Sequence, residues 1–244
     1  MAIVGSRRCT PYGENIAYHA AYELGKHGII VVSGLAYGID SCAHRGCLDA
    51  GGITLAVLGT AINQIYPRRN CGLAKRILEK GAILSEYAPD TETKAYFFQV
   101  RNRIVSGLAD AVLVVEASKN SGTKGTYDYA VKQGKNIFAV PGDLSRPMSA
   151  GTNEMLRDGA NPYLDVSDIL ISLGRKMPEP AEPDISKFSS ITQDVYCAIK
   201  NGIRNPDTIV ERLNIGVMDF NIAVTTLEMD DLIVQDGAGW TICP

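Results

Sequence analysis

Ile29-Ile30-Val31-Val32-Ser33-Gly34-Leu35-Ala36-Tyr37-Gly38-Ile39-Asp40 holds a strand, a turn and the start of a helix within twelve residues. The four leading residues are all β-branched and apolar, with no polar alternation. A strand needs a polar face only where one side meets water, so this run predicts a strand covered on both faces. Ser33-Gly34 stops it, and a second glycine at 38 precedes the next helical pattern.

Outward from this unit the same pattern recurs. Strands are predicted over Ala2–Ser6, Ile29–Gly34, Thr54–Gly59, Ala82–Glu86, Ala111–Glu116 and Asn136–Pro141, with helical stretches between them. Thr10-Pro11 reads as an N-cap with proline in the first turn, and Gly28 ends that helix after His27. Strand–helix alternation of this kind predicts an α/β fold, a Rossmann-like doubly wound parallel sheet, over residues 1–173. Across 174–187 the composition shifts: Pro178, Pro180 and Pro183 interleave with Glu179, Glu182 and Asp184, as in a stiff, solvated linker. Beyond it, helices are predicted over Ile191–Lys200, Pro206–Leu213 and Val217–Asp230. Leu232–Gln235 and Trp240–Cys243 then flank Asp236-Gly237-Ala238-Gly239, a hairpin signal. Three helices and a terminal hairpin predict a small C-terminal winged-helix domain over 188–244.

The 244 residues are 45% apolar, enough for a full core, and contain no run of eighteen apolar residues, so no membrane span is expected. Met1-Ala2-Ile3-Val4-Gly5 enters a strand at once, which predicts no secretory leader. Six cysteines, at 9, 42, 47, 71, 197 and 243, form no CxxC pair and have no zinc-type spacing to histidine. They read as reduced thiols of a cytoplasmic protein without a metal. The net charge of −3 is uneven: residues 1–173 carry +2 and residues 188–244 carry −5. The acidity belongs to the tail, which leaves room for a local basic groove on the first domain.

The carboxyl ends of the predicted strands carry the candidate site, since ligands of open parallel sheets bind there. The first strand ends Gly5-Ser6-Arg7-Arg8 and the second ends with Ser33, Gly34 and Gly38. The third ends Gly59-Thr60, the fifth leads to Ser121-Gly122-Thr123-Lys124-Gly125-Thr126, and the sixth ends at Gly142. Glycine lets backbone N–H groups approach an anion, hydroxyls add donors, and Arg7, Arg8 and Lys124 add charge. A single such turn is ordinary punctuation; several on one rim point to phosphate recognition. Neither G-x-G-x-x-G nor G-x-x-x-x-G-K-[ST] is present, so a nicotinamide dinucleotide site and a Walker-type ATP site are disfavoured, and no cofactor is expected.

Phe97-Phe98-Gln99-Val100-Arg101-Asn102-Arg103 lies just before the fifth strand. On a helix, Arg101 and Arg103 are about 200° apart, so they cannot serve one contact equally. One is expected to hold phosphate while the other pairs with a carboxylate such as Glu86 or Glu116. Charge beside aromatic rings suits single-stranded nucleic acid, with arginine following the backbone and a ring such as Phe98 stacking on a base. The competing role for both phenylalanines is core packing. Asp40 and His44, at i and i+4, are expected to form a hydrogen-bonded structural pair bracing the second turn.

These strings resemble the DNA-processing protein A (DprA/Smf) family: AIVGSR at 2–7, VVSGLAYGIDSCAH at 31–44, TLAVLGTAINQIYP at 54–67, ILSEY at 83–87, RNRIVSGLADAVLVVEA at 101–117, SG at 121–122 and IFAVPG at 137–142. The resemblance covers residues 1–173. It implies a non-catalytic protein that binds single-stranded DNA with little sequence preference. It also implies a homodimer that helps load a RecA-type recombinase during DNA uptake and natural transformation. Gly5-Ser6-Arg7 matches the family's phosphate-binding turn, Arg101-Asn102-Arg103 its arginine segment, Phe98 the aromatic before it, and the 121–126 loop a DNA-contact region. Three departures stand out: Gln99 replaces the usual proline after Phe98, Thr123-Lys124-Gly125-Thr126 replaces an apolar continuation, and the family's N-terminal helical region does not precede the first strand.

Two other functions fit parts of the pattern. The 121–126 segment faintly resembles the P-G-G-x-G-T loop of nucleoside monophosphate phosphoribohydrolases. Ser121 and Thr123 break it, and Tyr129 stands where the carboxylate belongs, with Asp128 one residue off, about 100° around the helix. A small-nucleotide sensor would share the phosphate rim without a long groove. The segment 217–231, the predicted third helix of the tail and the residue after it, carries Asp219, Glu228, Asp230 and Asp231 with no lysine or arginine, which predicts protein contact in place of duplex DNA docking.

Overall fold

The computed structural model describes residues 1–175, 183–237 and 239–243. It divides into two compact units, Met1–Met177 and Pro178–Pro244. The expected linker falls partly on residues 176–182, outside the described residues.

The first unit alternates strand and helix as the apolar runs require. In chain order it has β1 (Ala2–Val4), α1 (Pro11–Lys26), β2 (Val31–Ser33), α2 (Ile39–Asp49), β3 (Thr54–Leu58), α3 (Cys71–Lys80) and β4 (Ala82–Ser85). Then come α4 (Phe97–Gly107), β5 (Ala111–Val114), α5 (Thr123–Lys132), β6 (Asn136–Ala139), α6 (Ala150–Arg157), β7 (Asn161–Pro162) and α7 (Val166–Ser172). The seven strands form one sheet in the order β4-β3-β2-β1-β5-β6-β7, every pair parallel. All six predicted strands are present, each one or two residues shorter at its carboxyl end, and β2 also begins two residues later than predicted. β7 was not expected; two residues long, it is recruited by pairing Asn161 with Phe138 on β6.

The pleat sends alternate residues to opposite faces. Ile3 and Leu113 join a core with α1, α2 and α7, while Ala2, Val4, Val112 and Val114 join a second core against Val105, Ala130 and Met155 of α4, α5 and α6. Both faces are therefore covered, which is why the strands read as unbroken apolar runs. α1 starts as its sequence requires: the Thr10 hydroxyl accepts from the Gly13 N–H, Pro11 takes the first helical position, and Gly28 follows with φ +68°.

The second unit has α8 (Ser190–Lys200), α9 (Pro206–Leu213), α10 (Val217–Met229) and an antiparallel hairpin of β8 (Ile233–Asp236) and β9 (Gly239–Ile242). Its separate core gathers Val195, Ile199, Ile209, Phe220, Leu227 and Trp240. Among the described residues no helix is long and apolar enough to cross a membrane, and no cluster of His, Cys, Asp and Glu could hold a metal ion.

Candidate nucleic-acid interface

β1 is followed by β2, β3 and β4 on one side, while β5, β6 and β7 continue on the other. The chain direction across the sheet therefore reverses between β1 and β5, the place where a parallel sheet opens a crevice at its carboxyl edge. A cavity of about 700 Å³ lies there. Its walls come from the turn after β1 (Gly5, Ser6, Arg7, Arg8), the turn after β2 (Gly34, Ala36) with Asp40 at the start of α2, α4 (Phe98, Arg101, Asn102), and the entry to α5 (Ser121, Gly122) with its first turn (Thr123, Thr126).

The turn after β1 is fixed from below. The Ser6 N–H donates to the Glu116 carbonyl (2.8 Å), and the Arg8 N–H donates to the Ser6 hydroxyl (3.0 Å). Arg7 and Arg8 are thereby exposed at the mouth, and the Arg7 guanidinium lies 5.4 Å from the centroid of the Phe98 ring. Phe98 is half-buried and also faces Tyr66, with ring centroids 5.4 Å apart. Phe97 is core, stacked on Tyr87 at 3.8 Å. Phe97 thus takes the core role, while Phe98 lines the cavity. Asn102 spans the cavity from α4, its amide 3.5 Å from the Gly122 carbonyl.

The two arginines of α4 separate as their spacing requires. Arg103 pairs with Glu86 on the exposed surface and does not line the cavity. Arg101 is 4% exposed at the cavity floor, where Nη1 donates to the carbonyls of Gly34 (2.7 Å) and Val57 (2.5 Å). Its Nε has no hydrogen-bond partner. Burial lowers its pKa, and Asp40 acts in the opposite sense. Burial likewise raises Asp40, whose carboxylate Arg101 and the surrounding donors favour. Glu116, the other carboxylate considered, accepts from the Thr10 N–H (2.8 Å) and hydroxyl (2.5 Å).

Several expectations are corrected by these contacts. Asp40 and His44 do not pair. Asp40 alone braces the second turn, accepting from the N–H groups of Gly34 (3.1 Å) and Ala36 (3.3 Å), while His44 Nδ1 lies 2.7 Å from the Thr54 hydroxyl. Gly34 lines the cavity but has no backbone donor left for a ligand: its N–H serves Asp40 and its carbonyl serves Arg101. Its missing side chain makes room, since a Cβ there would sit 1.9 Å from Arg101 Nη1. Ser33 is fully buried and gives its hydroxyl hydrogen to the Ile3 carbonyl (2.7 Å). Gly38, at φ +73°, lets α2 begin against the Ser6 carbonyl, 2.4 Å from where a Cβ would stand. Ser33 and Gly38 frame the site and do not line it. The 121–126 segment is not a loop throughout: α5 starts at Thr123, and Lys124 is exposed on its first turn outside the cavity lining. The N-terminus of α5 therefore faces the cavity, adding partial positive charge to Arg7 and Arg8. Sequence reasoning missed Tyr66, Gln99 and Ser118 as lining residues; an aromatic before Pro67 was the available signal for Tyr66.

Residues 1–174 match the family model described as DNA recombination-mediator protein A. The chain belongs to this family. It is 36% identical to the Smf protein of Escherichia coli over 98% of this chain and 64% of that protein. It is 37% identical to the DNA processing protein DprA of Bacillus subtilis over 75% and 62% of the two chains. The chain thus spans less than two thirds of the length of these relatives. Among solved structures, Streptococcus pneumoniae DprA aligns with a TM-score of 0.66 at 34% identity, over 72% of this chain and 62% of that one. Helicobacter pylori DNA processing protein A, solved for its single-stranded DNA binding mode, aligns at 0.65 and 35%, over 70% and 78%. Both fit the family's Rossmann-like α/β sheet.

Proposed function

We propose that this DprA/Smf-family chain binds single-stranded DNA without sequence preference in the cavity between β1 and β5. We also propose that it helps place a RecA-type recombinase on that strand. The observation that carries the binding is the convergence of Arg7, Arg8 and the α5 N-terminus on one cavity with the Phe98 ring at its mouth. Phosphates meet charge and backbone donors of the Gly5 and Gly122 turns, while a base meets an aromatic face, a combination that tolerates any sequence. Arg101 at the floor adds positive potential and holds the Gly34 turn in shape. Arg103, tied to Glu86, and Lys124 contribute at the periphery.

Natural transformation in the cytoplasm is the working context we propose, with a homodimer joining two grooves for avidity. We assign the second unit the role of a winged-helix-like protein-contact module. A nucleoside monophosphate hydrolase would need a free acid beside the sugar, yet the one carboxylate among the described lining residues is Asp40, turned onto the amides of its own turn.

Fluorescence anisotropy with single-stranded oligonucleotides of increasing length, at two salt concentrations and with a duplex control, tests the binding. Affinity that grows with length, falls with salt by about 0.7 log units per log salt for each phosphate neutralised, and collapses in Arg7→Ala is the expected result. Tight mononucleotide binding with no gain on longer strands would favour a nucleotide sensor. Recombinase loading is tested by strand exchange on DNA coated with single-strand-binding protein, where Arg7→Ala should lose the stimulation.

A further inference from the structure

The cavity has a side lobe that the phosphate-binding turns do not explain. Tyr37, Tyr66, Pro67 and Phe98 line it together with Arg7. The Tyr37 and Tyr66 rings are 44% and 51% exposed, an unusual cost for two large side chains at one opening unless something covers them. Past Tyr66-Pro67 the chain enters a 3-10 turn, Arg68–Asn70. Such a turn advances about 120° per residue, so its three side chains point in three directions. Asn70 takes the inward one: it is buried, and its amide donates to the Leu35 carbonyl (2.8 Å) and the Ser41 hydroxyl (3.0 Å). With that corner pinned, Arg68 and Arg69 both face outward, and both are exposed. Neither side chain has an ion pair or hydrogen bond among the described residues. Arg68 adjoins Pro67 in the lobe wall, and consecutive Cα atoms are about 3.8 Å apart, so its long side chain starts at the rim of the lobe.

We propose that the single strand leaves the cavity across Tyr66 and Tyr37, and that Arg68 and Arg69 form a second phosphate-binding station beyond it. This inference rests on the proposed function of the cavity. Stacking rings followed by unpaired cations repeat, one step outward, the arrangement of Phe98 with Arg7. The anchor turn matters as much as the charges: Asn70 ties it to the loop after β2, so the second station keeps a fixed distance from the first.

The test separates the two stations by DNA length. Wild type, Arg7→Ala and the double variant Arg68→Ala/Arg69→Ala are titrated with oligothymidylates of about five and about sixteen nucleotides, the range of single-strand site sizes. The double variant should bind the short strand within twofold of wild type. It should bind the long strand more weakly, with a salt slope shallower by about 1.4 log units per log salt, 0.7 for each phosphate released. Arg68→Lys/Arg69→Lys should restore that slope, which a folding defect would not allow. An unchanged long-strand slope in the double variant, with Arg7→Ala still defective, would overturn the second station and leave the cavity in place. Equal weakening of short and long strands by the double variant would also overturn it, since both arginines would then act at the first contact. Normal binding by Arg7→Ala at both lengths would remove the cavity reading, and this one with it.

Discussion

At the scale of single residues, two arginines of one cavity do opposite work. Arg101 is buried and spends its charge on Gly34, Val57 and Asp40, whereas Arg7 is exposed and, among the described residues, meets the face of Phe98 alone. Arg101→Met should therefore destabilise the first unit by roughly 3–5 kcal/mol in urea unfolding, because Asp40 keeps its buried charge without a counter-ion. Arg7→Ala should change stability by less than about 0.5 kcal/mol while losing DNA affinity. His44 makes a second residue-scale prediction. The Thr54 hydroxyl gives its hydrogen to the Val31 carbonyl, so His44 Nδ1 must be the donor to Thr54, and Nε2 is left buried without a partner. Burial, with Arg101 nearby, lowers the His44 pKa from 6.5 to about 3. Between these values the unfolded chain takes a proton that the folded chain refuses. Stability from this group is thus complete above the unfolded pKa and is lost as pH falls toward the folded one. Compared with His44→Gln, which keeps a donor toward Thr54, wild type should lose up to about 1.4 kcal/mol more per pH unit in that window. Parallel slopes in urea titrations of the two proteins would contradict a neutral buried histidine.

At the scale of elements, the site depends on how α2 meets the turn after β1. Gly38 begins α2 at φ +73° with the Ser6 carbonyl at its back, and the Ile39 N–H donates to the same carbonyl at 3.3 Å. Gly38→Ala should cost more than about 1 kcal/mol and weaken DNA binding too, since the turn carrying Arg7 must shift. An affinity equal to wild type in a destabilised protein would separate the two effects and count against the coupling. α10 and the two residues after it make the converse prediction: Lys substitutions at Asp219, Glu228, Asp230 and Asp231 should leave single-strand affinity unchanged or raised. These elements also show what the sequence could convey. Unbroken apolar runs such as Val112–Val114 reported burial on both faces, so the sheet and the order of its elements could be read directly. Ser33, Gly34 and Gly38 could not be sorted the same way. Framing a phosphate turn and touching a phosphate call for the same small residues, and the difference lies in partners far along the chain: Ile3, Arg101 and Ser6. Arg101 was ambiguous for that reason, while Arg103 was resolved by a carboxylate already named, Glu86. β7 left no signal because two residues cannot carry a period, and Tyr66 stood outside every glycine turn.

At the scale of the whole molecule, the two units have separate hydrophobic cores, and a separate core is what allows cooperative unfolding on its own. The second unit is small, so it buries a smaller fraction of its chain and should be the less stable. The sequence provides a selective reporter. Its one tryptophan, Trp240, is 7% exposed in the core of the second unit, while most of the helix and all of the parallel sheet lie in the first. Tryptophan fluorescence should follow the second unit and far-ultraviolet circular dichroism mainly the first, with a fluorescence midpoint at lower denaturant. A ligand that binds only the folded first unit stabilises that unit alone, by about 2.7 kcal/mol at a free concentration one hundred times its Kd. A saturating oligothymidylate should therefore move the dichroism transition and leave the tryptophan transition where it was. A tryptophan midpoint that moves equally would mean that the acidic unit shares the binding free energy, through coupled unfolding or direct contact with the strand. The assignment of the second unit to protein contact alone would then fall.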